Sequence, residues 1–285
     1  MQKIIDDFFD NIKKHRKTLL ISLGVAFTIG IIIMVFASIW DLKVSNTLTN
    51  HNNAFIRFVY KFGEVPFCLL MLSFPYSLSV CMYKHKKYCF AAITVLLALL
   101  FGYWYSTRWI SNIGLNMLFN IATAIAMVSL FYWIKQDMLS KILIISFIAV
   151  MTSIISNASV IVIKIFWGRV RFNDLCDYNT FTNWWIPSLS SPHKSFPSGH
   201  VSVSTTVCVL TLTPLFFCKR RKILAGLCFT LPILYTIVMA FSRIASGKHF
   251  LSDVTFSVML CLSVIAFVIF ILSFANKIYK KKKCS

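Results

Sequence analysis

Apolar residues in this chain run in long stretches without the helical or alternating period of a water-soluble core, and charges cluster in the intervals between them. A hydrocarbon core about 30 Å thick takes roughly 17–25 helical residues to cross. Eight runs meet that length: Thr18 to Trp40, Phe62 to Met82, Tyr88 to Tyr105, Ile113 to Trp133, Ile142 to Ile163, Ser198 to Phe217, Ile223 to Phe241 and Val254 to Phe274. The first begins only at Thr18 and is followed by no small-residue cleavage pattern, so it reads as a retained anchor. The pattern predicts an all-α, polytopic transmembrane helical bundle of about eight spans, one membrane domain over residues 1–285 with no internal repeat.

Composition agrees with the bilayer as solvent: 58% of residues are hydrophobic, 15% aromatic and 13% charged. A net charge of +20 raises the question of a nucleic-acid partner, but its placement answers no. Most of the basic residues fall in alternate intervals, namely Lys3, Lys13, Lys14, Arg16 and Lys17; Lys84, Lys86 and Lys87; Lys135 and Lys141; Lys219 to Lys222; Lys277 and Lys280 to Lys283. That is the positive-inside pattern, with both termini expected in the cytoplasm. On the opposite side two intervals keep their cations, Lys164, Arg169, Arg171 and Lys194 in one and Arg243 and Lys248 in the other. Their retention asks for a local anionic ligand. The nine cysteines give no framework: Cys68, Cys81, Cys89, Cys208, Cys228 and Cys261 lie in apolar runs, Cys218 and Cys284 beside lysines, and Cys176 alone faces outward. Neither a disulfide nor a zinc site is expected.

Candidate chemistry sits at three junctions between loop and apolar run. Lys164 ends the fifth run and Arg171 follows seven positions later, on the same face if the helix continues for two turns. A guanidinium fork and an ammonium point charge are a phosphate-binding pair, although either alone also serves as a membrane anchor. The second junction, Phe196-Pro197-Ser198-Gly199-His200, has the residues of a helix start whose amides can approach an anion: Pro197 to preset the turn, Ser198 to cap it, Gly199 for access and His200 in the first turn. The third runs from Ser242-Arg243 to His249 and Asp253. The last two are four apart, so the carboxylate can fix the imidazole tautomer and leave the other nitrogen nucleophilic. Asp253 could equally serve a structural ion pair with Arg243.

Other polar positions read more plainly. Asn116, Asn120, Ser153, Ser156 and Asn157 have the spacing of interhelical glue. Glu64, beside Gly63 and Pro66, reads as a helix cap, with pairing to a loop cation as its alternative. Trp184 and Trp185, in the aromatic interval from Lys164 to Pro197, fit an interfacial belt.

The three junctions together resemble the signature of the type 2 phosphatidic acid phosphatase superfamily, integral membrane lipid phosphatases. That signature is Lys, six residues, Arg-Pro; then Pro-Ser-Gly-His; then Ser-Arg, five residues, His, three residues, Asp. The chain matches it at every position of Pro197 to His200 and of Ser242-Arg243, His249 and Asp253, and departs in having Phe172 where the family has proline. The resemblance covers the chain from Lys164 onward, with the signature region at 164–253. It implies a six-helix core, so that two of the eight spans are additions. It also implies His249 as nucleophile forming a phosphohistidine, Asp253 orienting it, and His200 as general acid, with Lys164, Arg171, Ser198, Gly199 and Arg243 holding the phosphoryl oxygens. No cofactor and no metal are expected, because cations already converge and no carboxylate cluster is at hand. The implied substrate is a lipid phosphate or diphosphate, a polyprenyl diphosphate among them, met at the outer face of a bacterial inner membrane. The alternatives are a phosphotransferase on the same fold and a non-enzymatic protein that binds or transports anionic lipid.

Overall fold

A computed structural model describes residues 2–50, 52–189, 191–216 and 222–284. The expectations for Phe217, Cys218 and the charges at 219–221 lie outside the described residues, as do those for the side chains of Lys283 and Cys284. Among the described residues there are ten α-helices and no strand: α1 (Gln2–Lys14), α2 (Arg16–Leu48), α3 (Ala54–Phe62), α4 (Val65–Lys84), α5 (Tyr88–Ser106), α6 (Ile113–Trp133), α7 (Gln136–Trp167), α8 (Gly199–Thr205), α9 (Lys222–Ala245) and α10 (Leu251–Cys284). Eight segments are long and apolar enough to cross a membrane. This is the polytopic helical bundle that the apolar runs predict, an integral membrane protein by its spans.

The run boundaries shift for identifiable reasons. The helix of the first run, α2, continues past Trp40 to Leu48, and this added stretch buries Asp41. The helix of the second run starts at Val65 and not at Phe62: Gly63 and Glu64 separate α4 from α3, which precedes the run, and the first turn of α4 accepts Pro66 because a backbone N–H there would have no helical partner. Asn53 starts α3 by accepting from the N–H groups of Phe55 and Ile56. The sixth run is α-helical only to Thr205 and then 3-10 from Thr206 to Phe216. That stretch holds Pro214, which has no N–H, and Thr211 and Thr213, whose hydroxyls turn back on backbone carbonyls three residues earlier. The amphipathic α1, which no apolar run marked, packs Phe8 against Phe216 at 4.5 Å between ring centroids.

The bundle interior joins α4, α5, α7, α10 and the 3-10 segment around Leu72, Tyr76, Ile148, Val209 and Cys261. Lipid-facing residues such as Ile32, Val35 and Ile39 of α2 are exposed, as expected where hydrocarbon replaces water. Of the polar residues expected to act as interhelical glue, Asn116, Asn120 and Ser156 do so, whereas Asn157 donates to Ser153 within α7. Ser106 of α5 donates to Asn116 Oδ1 of α6 at 2.5 Å and accepts from Asn120 Nδ2 at 2.9 Å, and Ser156 of α7 meets Ser202 of α8. The seven described cysteines are free. A small second core of Val201, Ile244 and Val254 draws the ends of α8, α9 and α10 together. Those ends carry the histidines.

Candidate functional site

The site begins at Gly168, which ends α7 at φ +52, a left-handed conformation suited to glycine. A Cβ there would press on Ser191 and on the carbonyl of Ser188. The chain therefore leaves the helix before Arg171, which lies in extended backbone. The continued helix that would have set Lys164 and Arg171 on one face is not formed. They come together through the turn instead, with Arg171 and Asp253 both within electrostatic reach of Lys164. Lys164 Nζ donates to the carbonyl of Lys194 at 2.8 Å.

The same turn buries Arg169, which the sequence left without a role. Its guanidinium donates to Asp253 Oδ1 at 2.6 Å, Ser252 Oγ at 2.7 Å, Asp41 Oδ2 at 2.9 Å and the carbonyl of Thr182 at 2.9 Å. It stacks on Phe250 at 4.2 Å. One side chain thus fastens α2, the α7–α8 loop and α10. Removing one partner of such a buried pair costs about 3–5 kcal/mol because the other charge is left uncompensated. The ion-pair partner of Asp253 is Arg169 and not Arg243.

Asp253 is fully buried, and beyond Arg169 it accepts from Ser195 Oγ at 2.5 Å and from the N–H of Phe250 at 3.0 Å. His249 precedes α10, which starts at Leu251, so the pair is not set by a shared helix. The imidazole is delivered by a turn in which its N–H bonds the carbonyl of Arg243 at 3.3 Å. Gly247 makes that turn at φ +64, with the Asn173 side chain packed where a Cβ would stand. His249 Nδ1 faces Asp253 Oδ2 at 3.5 Å, leaving Nε2 on the other side. Burial lowers the His249 pKa from its ordinary value, against the opposing pull of Asp253 and with help from Lys164 and Arg243. The imidazole is therefore neutral at pH 7, with a lone pair available.

Ser198 occupies the N-cap of α8, but its hydroxyl does not cap the helix. Its N–H donates to the carbonyl of Asp253 at 3.2 Å, which holds the Pro197-Ser198-Gly199-His200 segment against α10. Arg243 is 2% exposed, stacks on Tyr60 at 4.5 Å and reaches the carbonyl of Tyr60 at 3.4 Å. Ser198 Oγ, Arg243 Nε, Arg171 Nε and His249 Nδ1 are buried without a hydrogen-bond partner among the described residues. Polar atoms are rarely left so; Ser45 Oγ and Thr152 Oγ1 are two more, elsewhere in the bundle, while these four belong to residues of all three junctions.

His200 differs from His249 in being 45% exposed at its side chain. It lies within electrostatic reach of Arg243, His249, Arg108 and Lys164. Its Nε2 stands 3.5 Å from Glu64 Oε1. Glu64 caps nothing; it is buried and accepts from Tyr105 Oη at 2.7 Å and Arg108 Nη1 at 3.3 Å. The alternative reading of Glu64, pairing with a loop cation, is the one observed. His200 and Arg243 open onto a cavity of about 850 Å³.

Residues 141–277 match the model of the PAP2 superfamily. That region belongs to the PAP2 superfamily. No curated protein and no solved structure matches it. The PAP2 match begins in α7 and ends in α10, so it encloses every signature residue. Phosphatase-type activity on phosphate esters, that of a hydrolase, is what this match supports.

Outside the PAP2 match lie Asp41, Glu64, Tyr105 and Arg108, which sequence reasoning missed or misread. A carboxylate next to an apolar run is the signal that could have found the first two, since a charge there demands a partner. Asn116 and Asn120 join one another and Ser106, away from the signature residues. Trp184 donates to Ser38 Oγ at 3.1 Å and faces Phe196, which makes it a packing residue, while Trp185 stays exposed.

Proposed function

We propose that the protein is a metal-independent membrane lipid phosphatase that works through a phosphohistidine on His249. The observation that carries this reading is the set of buried donors without a protein partner at Ser198, Arg171 and Arg243, beside a neutral imidazole. A tetrahedral phosphoryl group is the ligand whose oxygens such donors suit. Gly199 and Lys164 add amide access and charge.

In this mechanism His249 Nε2 attacks phosphorus. An N–P bond forms, and the bond from phosphorus to the lipid oxygen breaks as His200 gives that oxygen its proton. Water then attacks the phosphohistidine while His200 takes one of its protons, and the N–P bond breaks to release phosphate. Asp253, itself fixed by Arg169 and Ser195, orients His249 and stabilises its positive charge. Nearby carboxylates are committed to protein donors: Asp41 and Asp253 to Arg169, Glu64 to Tyr105 and Arg108. The charge stabilisation a metal would give is supplied here by Lys164, Arg171 and Arg243. From the distribution of lysines we infer cytoplasmic termini and a site at the outer face, and the family resemblance suggests a bacterial inner membrane.

The test is phosphate release from a short-chain lipid phosphate by purified protein in EDTA and ¹⁸O-water. The expected result is undiminished turnover with one solvent oxygen in the phosphate. Loss of activity in chelator, phosphate transfer to another acceptor, or binding without release would each overturn the proposal.

Glu64 is the positioning residue for His200 on this reading. Glu64→Gln is expected to slow hydrolysis of an alkyl phosphate by up to about 10²-fold, the cost of misplacing a catalytic group. It should affect p-nitrophenyl phosphate little, because that leaving group needs no proton. Equal losses on both substrates would assign Glu64 a structural role only.

A further inference from the structure

Asp41 belongs to α2, outside the region of the PAP2 match, yet it stands in the middle of the buried charges behind His249. Each of its contacts offers it a donor: the N–H of Ser252 reaches Oδ1 at 3.0 Å, while Arg169 Nη2 at 2.9 Å and the hydroxyl of Ser252 reach Oδ2. Such a set of donors suits an ionised carboxylate. Ser252 lies in the first turn of α10, so Asp41 also holds the start of that helix one residue ahead of Asp253.

The same guanidinium holds Asp253, whose Oδ1 is 2.6 Å from Nη1. All three side chains are closed to solvent, so one positive and two negative charges leave a buried group with an excess of one negative charge. A buried excess charge needs an opposite neighbour. His249 becomes that neighbour when it is phosphorylated, because its Nδ1 lies 3.5 Å from Asp253 Oδ2. The other charged or titratable groups around this imidazole are Lys164 near the end of α7, Arg243 in the last turn of α9 and His200 in the first turn of α8. Lys164 and Arg243 oppose positive charge on His249, whereas Asp253 favours it. Were Arg169 paired with Asp253 alone, the guanidinium would cancel the carboxylate on which that balance depends.

We propose that Asp41 is a positioning residue of the phosphatase reaction, acting through Arg169: by engaging Nη2 it leaves Asp253 the negative charge that the positively charged His249 of the phosphoenzyme requires. This rests on the phosphatase reading above and extends it to a residue of α2. The helix of the first apolar run is then part of the catalytic unit and not one of the two added spans. Asp41 acts at one remove from the chemistry. Loss of its charge lowers the His249 pKa and weakens the nucleophile, while Lys164, Arg171 and Arg243 remain to hold the phosphate.

The experiment is the pH dependence of kcat/KM for a short-chain lipid phosphate, measured on purified wild type and Asp41→Asn, which keeps the shape and drops the charge. The acidic limb of that profile marks the pH below which His249 is protonated and cannot attack. Removing a negative charge makes the imidazolium less stable, so the limb is expected to move to lower pH by about one unit. On the plateau kcat/KM is expected to fall about tenfold or more. Ionisation of the substrate is common to both proteins and adds nothing to the shift. The double variant Arg169→Gln/Asp41→Asn removes one charge of each sign; it should lose activity, yet keep its limb near the wild-type pH. If the charge of Asp41 were not felt at His249, loss of the Arg169 cation would instead move that limb upward, so the double variant decides the matter even where Asp41→Asn does not fold. A limb that stays or rises in Asp41→Asn, or rises in the double variant, would overturn the proposal and reduce Asp41 to a fastener of α2. Failure of the wild type to release phosphate would sink the phosphatase reading itself.

Discussion

Purified His249→Ala is expected to release phosphate at background rate, a loss of at least about 10⁴-fold of the kind seen when a nucleophile is deleted from a unit that works together. His249 is 3% exposed, and burial keeps it neutral at pH 7. Its Nδ1 side faces Asp253 at 3.5 Å, so Nε2 is the atom left to attack. The donors at Ser198, Arg171 and Arg243 remain in the variant, which should still bind an anion, and KM is expected to change far less than kcat. The measurement is phosphate release at saturating lipid phosphate, together with a search for acid-labile phosphoprotein in the wild type. Substantial turnover by His249→Ala would mean that another group is the nucleophile.

Arg243→Lys is expected to lose about 10²-fold or more in kcat, as when a preorganised donor to a transition-state oxygen is removed. Retaining the charge does not rescue it, because an ammonium lacks the planar fork that contacts two oxygens at once. The geometry makes the site intolerant: Arg243 is 2% exposed, its guanidinium lies on the Tyr60 ring at 4.5 Å, and Nε has no partner among the described residues. Both Arg243→Lys and Arg243→Ala should be compared with wild type for kcat and KM separately. A full kcat in Arg243→Lys would reduce the residue to a generic source of positive potential.

How far the chain could be read depended on how local each cause is. Apolar runs announce their helices because a span must satisfy its backbone within itself, so α5 and α6 end close to the expected residues. The 3-10 geometry after Thr205 was hidden inside the sixth run, and α3, with Arg57 and Lys61, lies ahead of the second run where the apolar pattern marks no helix. Lys164 and Arg171 lie within electrostatic reach of one another, but through the turn at Gly168 and not along a helix. His249 and Asp253 also meet, although only one of them lies in α10. Spacing named these residues; it did not give the path between them.

By itself, then, the sequence determined a helical membrane protein and the short motifs at Lys164, Pro197 to His200 and Ser242 to Asp253, since span length, turn residues and motif spacing are properties of neighbouring positions. Only the tertiary structure decided that Arg169 joins Asp41 to Asp253, that Glu64 stands beside His200, and that Arg57 and Lys61 border the same cavity as Arg243. The reason is physical: a buried charge must find its counter-charge wherever packing brings one, and that partner can be anywhere along the chain.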